Sequence, residues 1–148
     1  MQNDKASGII EQMMSKDLFS QWMQIERMEE GEGFCKLKMV VRKEMCNGFE
    51  IAHGGIIYSL ADSALAFAAN SHGRHAVSIE TSMTHLRSSK SGDVIHAIAE
   101  ERSISNLIAV YEIKVQKDNG ELVALFKGTV FRKQTEWGEE SAVVSRES

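Results

Sequence analysis

The sequence predicts an α+β fold in which one long, apolar helix lies against an antiparallel sheet. Three observations carry this expectation. Gly54 to Ser71 reads GGIIYSLADSALAFAANS, a run of Ala, Ile, Leu and Phe with small polar residues and only one charge, Asp62. Such a segment has no charged stripe to offer water and reads as a helix buried nearly all round. Beyond it come four strand-like stretches separated by short breaks, SSKSGD, RSISN and KDNGE, each rich in turn formers. The chain has 148 residues, 43% of them hydrophobic and 26% charged, which suits a single domain with one core.

Taken in order, residues 4–24 suit an amphipathic helix, with Ile10, Met13, Met14 and Phe19 near helical spacing among Glu11, Gln12 and Lys16. Residues 33–41 alternate, so that Cys35, Leu37, Met39 and Val41 share one face and Lys36 and Lys38 the other. Residues 45–52 are irregular, with Asn47-Gly48 as a turn signal. The apolar helix opens at Gly54-Gly55 and closes near His72-Gly73, where glycine is a natural stop. Strands are then expected over 76–85, 93–101, 107–116 and 122–132. In the third, Leu107, Ala109, Tyr111, Ile113 and Val115 alternate with Glu112, Lys114 and Gln116.

Short connections imply that consecutive strands pair antiparallel, because a parallel crossover needs about a dozen residues. One helix cannot hide its circumference in a flat sheet, so the sheet curls around it or a partner subunit covers it. The expected organisation is one domain over 1–148, with its core at about 31–133, an N-terminal helical segment over 1–30 and a loose tail over 134–148.

Composition narrows the function classes. A net charge of −4 gives no basic surface for nucleic acid. Cys35 and Cys46 form no zinc-type spacing and no disulfide framework, which suggests free thiols in a reducing cytoplasm. Residues 1–30 are polar and charged, unlike a signal peptide. The run around Leu60 has the length of a membrane span, but Asp62, Asn70 and the serines lower its apolarity below that class. The chain has no proline, so its turns fall to Gly, Asn, Asp and Ser.

Asp62 is the residue that most needs a reason, because a carboxylate among apolar side chains is costly unless paired, neutralised or used. The start of its helix is the second feature. The first N–H groups of a helix lack internal partners and sit at the positive end of its dipole. Gly54 and Gly55 leave those groups open to a ligand oxygen, the geometry of an oxyanion hole. Asp62 lies eight residues beyond Gly54, about 12 Å along the axis, too far for both to reach one carbonyl within one chain. Acting together, they would have to come from different subunits.

Structural readings stand beside these: a Gly-Gly packing turn, or an Asp62 tied to a hydroxyl such as Ser59 or to a loop N–H. Ser59, Asp62, Ser63, Ala66 and Asn70 fall on one helix face as a small, polar stripe. His72 and His75 flank Gly73 and read as surface loop residues rather than metal ligands, and His85 and His96 lie in strands without a visible partner. No GxSxG, GxxxxGK[ST] or GxGxxG motif is present, which weakens serine-hydrolase, kinase and dinucleotide readings.

The string Asn47-Gly48-x4-His53-Gly54-Gly55-x4-Leu60-Ala61-Asp62 resembles the signature of hot-dog fold acyl-CoA thioesterases. SLADSALAFAANSHG is similar to their phenylacetate-degradation branch, the PaaI-type thioesterases, as are HLRSSKSGD (85–93) and ALFKGTVFRK (124–133). The resemblance covers about residues 31 to 133. It implies a long central helix wrapped by a curved antiparallel sheet, and hydrolysis of a thioester to a free acid and coenzyme A, with aryl-acetyl or medium-sized acyl groups as the candidate substrates. It also implies a homodimer with active sites at the interface, commonly a dimer of dimers, acting on an acyl-CoA substrate with no metal or organic cofactor.

By that resemblance Asp62 is nucleophile or general base, and the Gly54 N–H is the oxyanion donor, with Gly55 permitting close packing. Asn47 positions water or the acyl group, His53 holds the loop or supports the oxyanion site, and Ser78 is a polar neighbour of the nucleophile. The family often has proline after the Leu-Arg pair, where this chain reads Leu86-Arg87-Ser88-Ser89, so the coenzyme A contacts depart from the pattern. Arg87 and Lys90 are the candidate phosphate partners, with a solvated loop as the alternative. Two other functions fit the same fold: a non-catalytic acyl-CoA binding module, and a hot-dog dehydratase or hydratase.

Overall fold

The computed structural model describes residues 4–138. Among these residues are three α-helices, α1 (Asp4–Lys16), α2 (Leu18–Trp22) and α3 (Gly54–Asn70), and a short 3-10 turn at Lys43–Met45. Six strands accompany them: β1 (Glu26–Gly31), β2 (Phe34–Val40), β3 (Arg74–His85), β4 (Val94–Ile104), β5 (Ile108–Lys117) and β6 (Leu122–Glu136). They form one sheet in the order β1-β2-β4-β5-β6-β3, with every neighbouring pair antiparallel. This is the α+β architecture expected, with α3 held against the sheet's inner face and packed on β2, β3, β4, β5 and β6.

The alternation read from the sequence places the core correctly in most strands. Cys35, Leu37, Met39 and Val41 are buried, as are Ala109, Tyr111, Ile113 and Val115, and they meet Leu60, Ala64, Leu65, Phe67 and Ala68 of α3. Gly128 of β6 makes room for Leu65 of α3: a Cβ there would lie 2.8 Å from Leu65 Cδ1, so a side chain would force the buried Leu65 to repack. Leu107 departs from its expected face and is exposed, because it sits in the turn before β5.

Several expectations need correction. The single helix over 4–24 is two, broken at Asp17, whose carboxylate accepts the Ser20 N–H (2.9 Å) and so caps α2. Phe19, expected inside, is half-exposed and stacks on Trp22. β1 is an additional strand with no sequence signal, because Glu-rich ERMEEG has no apolar alternation. It is held instead by its hairpin with β2 and by Arg27, which bonds Glu30 (2.9 Å), Glu11 and the Ser7 carbonyl.

β3 and β4 are consecutive but do not pair. The 86–93 connection crosses the sheet, and β3 lies on β6 at the outer edge. Residues 134–136 belong to β6 rather than to a tail. Trp137 stacks on His75 with ring centroids 4.2 Å apart and donates its Nε1–H to Asn70 (3.0 Å). The rest of the expected tail, 139–148, lies outside the described residues.

α3 is also not buried all round. Gly55 and Asp62 are exposed, and Tyr58, Ser59 and Ala66 half-exposed, because the sheet of one chain leaves this strip of the helix uncovered. No helix among the described residues is long and apolar enough to cross a membrane.

Candidate active site

α3 and β3 run side by side in opposite directions, and their contacts proceed in step. Asn70 bonds both backbone groups of Ala76 (2.9 and 3.1 Å). Asp62 and Ala66 share a cleft with Ser78, and Tyr58 bonds Thr81. Gly54 meets His85 at the far end. The candidate residues are thereby sorted into two clefts along one seam.

The first cleft, about 240 Å³, is lined by Asp62, Leu65, Ala66, Ala76, Val77 and Ser78 among others. Its only carboxylate is Asp62, and no hydrogen bond or ion pair among the described residues holds it. Ser59, the hydroxyl weighed as its structural partner, donates instead to the Gly55 carbonyl (2.7 Å). Loss of water on the helix side raises the Asp62 pKa above the usual carboxylate range, and repulsion from Asp17 adds to the shift. Its edge still reaches solvent in the single chain.

Asp17 is brought close by a chain of contacts: its Oδ2 accepts from Ser20 Oγ (2.6 Å), which bonds Ser63 Oγ (2.8 Å), next to Asp62 in α3. This second carboxylate carries no local sequence signal, because Asp17 falls inside the stretch whose spacing suits one continuous helix.

The second cleft, about 310 Å³, lies at the N-terminus of α3 and is lined by Asn47, Ile51, Ala52, Gly54, Ile57, His85, Leu86, Arg87, Ser88 and Ser89. His53 caps the helix: its Nδ1 accepts the Gly55 N–H (2.8 Å). The Gly55 N–H is thus used internally. The Gly54 N–H takes part in none of the hydrogen bonds among the described residues and remains open to a ligand.

Asn47 turns the preceding loop by accepting the Phe49 N–H on Oδ1 (2.9 Å), which leaves its amide NH2 free to donate. Arg87 donates to the Leu122 carbonyl (2.9 Å), which holds the guanidinium on the sheet at the cleft's rim. Lys90 does not line this cleft; its backbone N–H is tied to Asp93 (2.9 Å) and its side chain is exposed. The Ser89 hydroxyl is buried without a partner at the same cleft.

Asn47, Gly54 and Arg87 therefore come together, Asp62 and Ser78 come together, and the two clefts share no lining residue. This is the separation anticipated from helix rise. His85, which the sequence left without a partner, is a lining residue of the second cleft. The other histidines are engaged elsewhere. His72 bonds Glu101 (2.7 Å), a carboxylate distant in sequence, His96 bonds Asp118 (2.8 Å), and His75 stacks on Trp137. The described residues contain no group of three or more His, Cys, Asp or Glu placed to hold a metal ion.

The fold, a six-stranded antiparallel sheet cradling one long helix whose N-terminus is open, is that of the hot-dog thioester hydrolases. Residues 49–124 match the thioesterase superfamily model, and the chain belongs to that family. Two similar proteins are a putative esterase of Archaeoglobus fulgidus, 41% identical over 81% of this chain and 78% of its own, and the acyl-coenzyme A thioesterase PaaI of Escherichia coli, 35% identical over 81% and 86%. The solved structure of the E. coli PaaI protein from the phenylacetic acid degradation operon superposes with a TM-score of 0.89, over 92% of this chain and 99% of that one, at 32% identity. The chain is a PaaI-type thioesterase.

Proposed function

We propose that this protein hydrolyses acyl-CoA thioesters to the free acid and coenzyme A, in a site built from two copies of the chain. The observation that carries the proposal is the division of the chemistry. An unbonded carboxylate with a raised pKa lies in one cleft and an open helix-terminal N–H in another. About 12 Å of helix rise separates them, too far for both to reach one carbonyl within one chain.

The edge strand supports the pairing. β3 is 12 residues long, has no neighbour beyond it, and exposes Val77 and Ile79 (44% and 57%). A long, sparsely charged edge favours pairing with another strand. Ser78 marks its Asp62 end and His85 its Gly54 end. Antiparallel pairing of two β3 strands about a two-fold axis near Thr81 would set Asp62 of one chain toward the partner's Gly54.

In that site the Asp62 carboxylate either takes a proton from water as it adds to the thioester carbonyl, or adds itself and is released by water. Both routes place negative charge on the carbonyl oxygen, where the Gly54 N–H stabilises it, and both expel the coenzyme A thiolate. Asn47 positions water or the acyl group, His53 fixes the loop through Gly55, and Ser78 is a polar neighbour of the carboxylate. Arg87 at the cleft rim, with Lys90 farther along the loop, faces the coenzyme A phosphates. The chemistry asks for no metal or organic cofactor.

Thiol release from a panel of straight-chain and aryl acyl-CoAs tests the activity and finds the preferred acyl group. Asp62→Asn is expected to lower kcat at least about 10³-fold with the fold intact. Unchanged hydrolysis in that variant would remove Asp62 from the chemistry. Loss of water from a 3-hydroxyacyl thioester without thiol release would favour a dehydratase, and tight binding of acyl-CoA with no turnover a binding module.

A further inference from the structure

We infer that His85 is a second donor to the oxyanion held at Gly54, an inference that rests on the thioesterase reading above. A Cβ on Gly54 would lie 3.3 Å from His85 Cε1 and 3.5 Å from Nε2, so the imidazole edge rests directly against the first residue of α3. No hydrogen bond among the described residues engages its ring nitrogens, and the ring lines the same cleft as Asn47 and Arg87. An oxygen at ordinary hydrogen-bond distance from the Gly54 nitrogen, about 2.9 Å, is within reach of that ring edge.

An imidazole presents an N–H in either protonation state, and histidine side chains serve alongside backbone N–H groups in oxyanion holes. One backbone N–H is a thin provision for a full oxyanion charge, since the adjacent Gly55 N–H is already spent on His53. The buried, unpartnered Ser89 hydroxyl at the same cleft is an independent sign that this pocket is completed by a polar ligand.

The position of His85 also distinguishes its role from that of Arg87. The side chain sits at the helix terminus, where the carbonyl oxygen would be held, and not at the rim. Its removal should therefore weaken the transition state without weakening attachment of the coenzyme A arm. His85 is exposed on the last residue of β3, so its replacement leaves the core untouched.

The test uses the full chain and the acyl-CoA it hydrolyses fastest, comparing wild type with Asp62→Asn, His85→Ala and His85→Gln. His85→Ala is expected to lower kcat about 10²-fold with KM within about threefold. Binding of coenzyme A alone should be unchanged, and His85→Gln, whose amide also donates, should recover a large part of the rate. Full kcat in His85→Ala, with wild type active and Asp62→Asn inactive, would overturn the role of His85 and leave the thioesterase reading standing. A rise in KM and weaker coenzyme A binding at unchanged kcat would likewise overturn it, as would equal losses in both His85 variants with a lowered melting temperature. A wild-type protein that releases no thiol from any acyl-CoA would overturn both readings.

Discussion

Asp62 and Asp17 set the acid–base behaviour of the first cleft. Restricted solvation raises the Asp62 pKa, and the Asp17 carboxylate raises it further. The folded chain thus holds the Asp62 proton more tightly than the unfolded chain does. Its stabilising contribution is present at low pH and is lost as pH rises through the raised value. The proposed mechanism has the opposite requirement, because only the ionised carboxylate can act on water or carbonyl, so activity is expected to fall as pH drops through that same value.

Asp17→Asn keeps the α2 cap, since asparagine also accepts the Ser20 N–H, but removes the repulsion. The acid limb of the kcat profile should move to lower pH in this variant, and a limb that stays in place would show that Asp17 does not act on Asp62. Asp62 itself was legible as the lone charge of an apolar run. Asp17 was not, because the contact through Ser20 and Ser63 is tertiary and 43 residues separate the two serines.

At the scale of elements, the seam between α3 and β3 positions the candidate residues Gly54, Asp62, Ser78 and His85, and Asn70 fixes one end of it. Its amide donates to the Ala66 and Ala76 carbonyls, and its oxygen accepts from the Ala76 N–H and from Trp137. Asn70→Ala would leave several buried polar groups unpaired and is expected to cost about 2–4 kcal/mol, read as a lower midpoint in urea unfolding. A loss below about 0.5 kcal/mol would show that water replaces those bonds.

The helix and most strand faces were readable because period and composition are local properties. The partner of β3 was not, because turn chemistry says where a strand ends and not which sheet edge it reaches. β1 escaped for a related reason: its residues gain strand geometry only by pairing with β2.

For the whole molecule, the sequence motif and the fold agree on the family, and helix rise alone forecasts that the two candidate clefts, the proposed halves of one site, stand apart. In the proposed site their reunion depends on an edge strand meeting its copy, which no local stretch of one chain encodes. The direct measurement is complementation between two inactive variants, Asp62→Asn and Gly54→Val, unfolded and refolded separately and as an equimolar mixture. In a mixed dimer one site keeps both an intact Asp62 and an intact Gly54, and random pairing makes half the dimers mixed. The mixture should therefore recover about a quarter of the wild-type thiol-release rate, while each variant alone stays inactive. A mixture as inactive as its components would contradict a site shared between two chains.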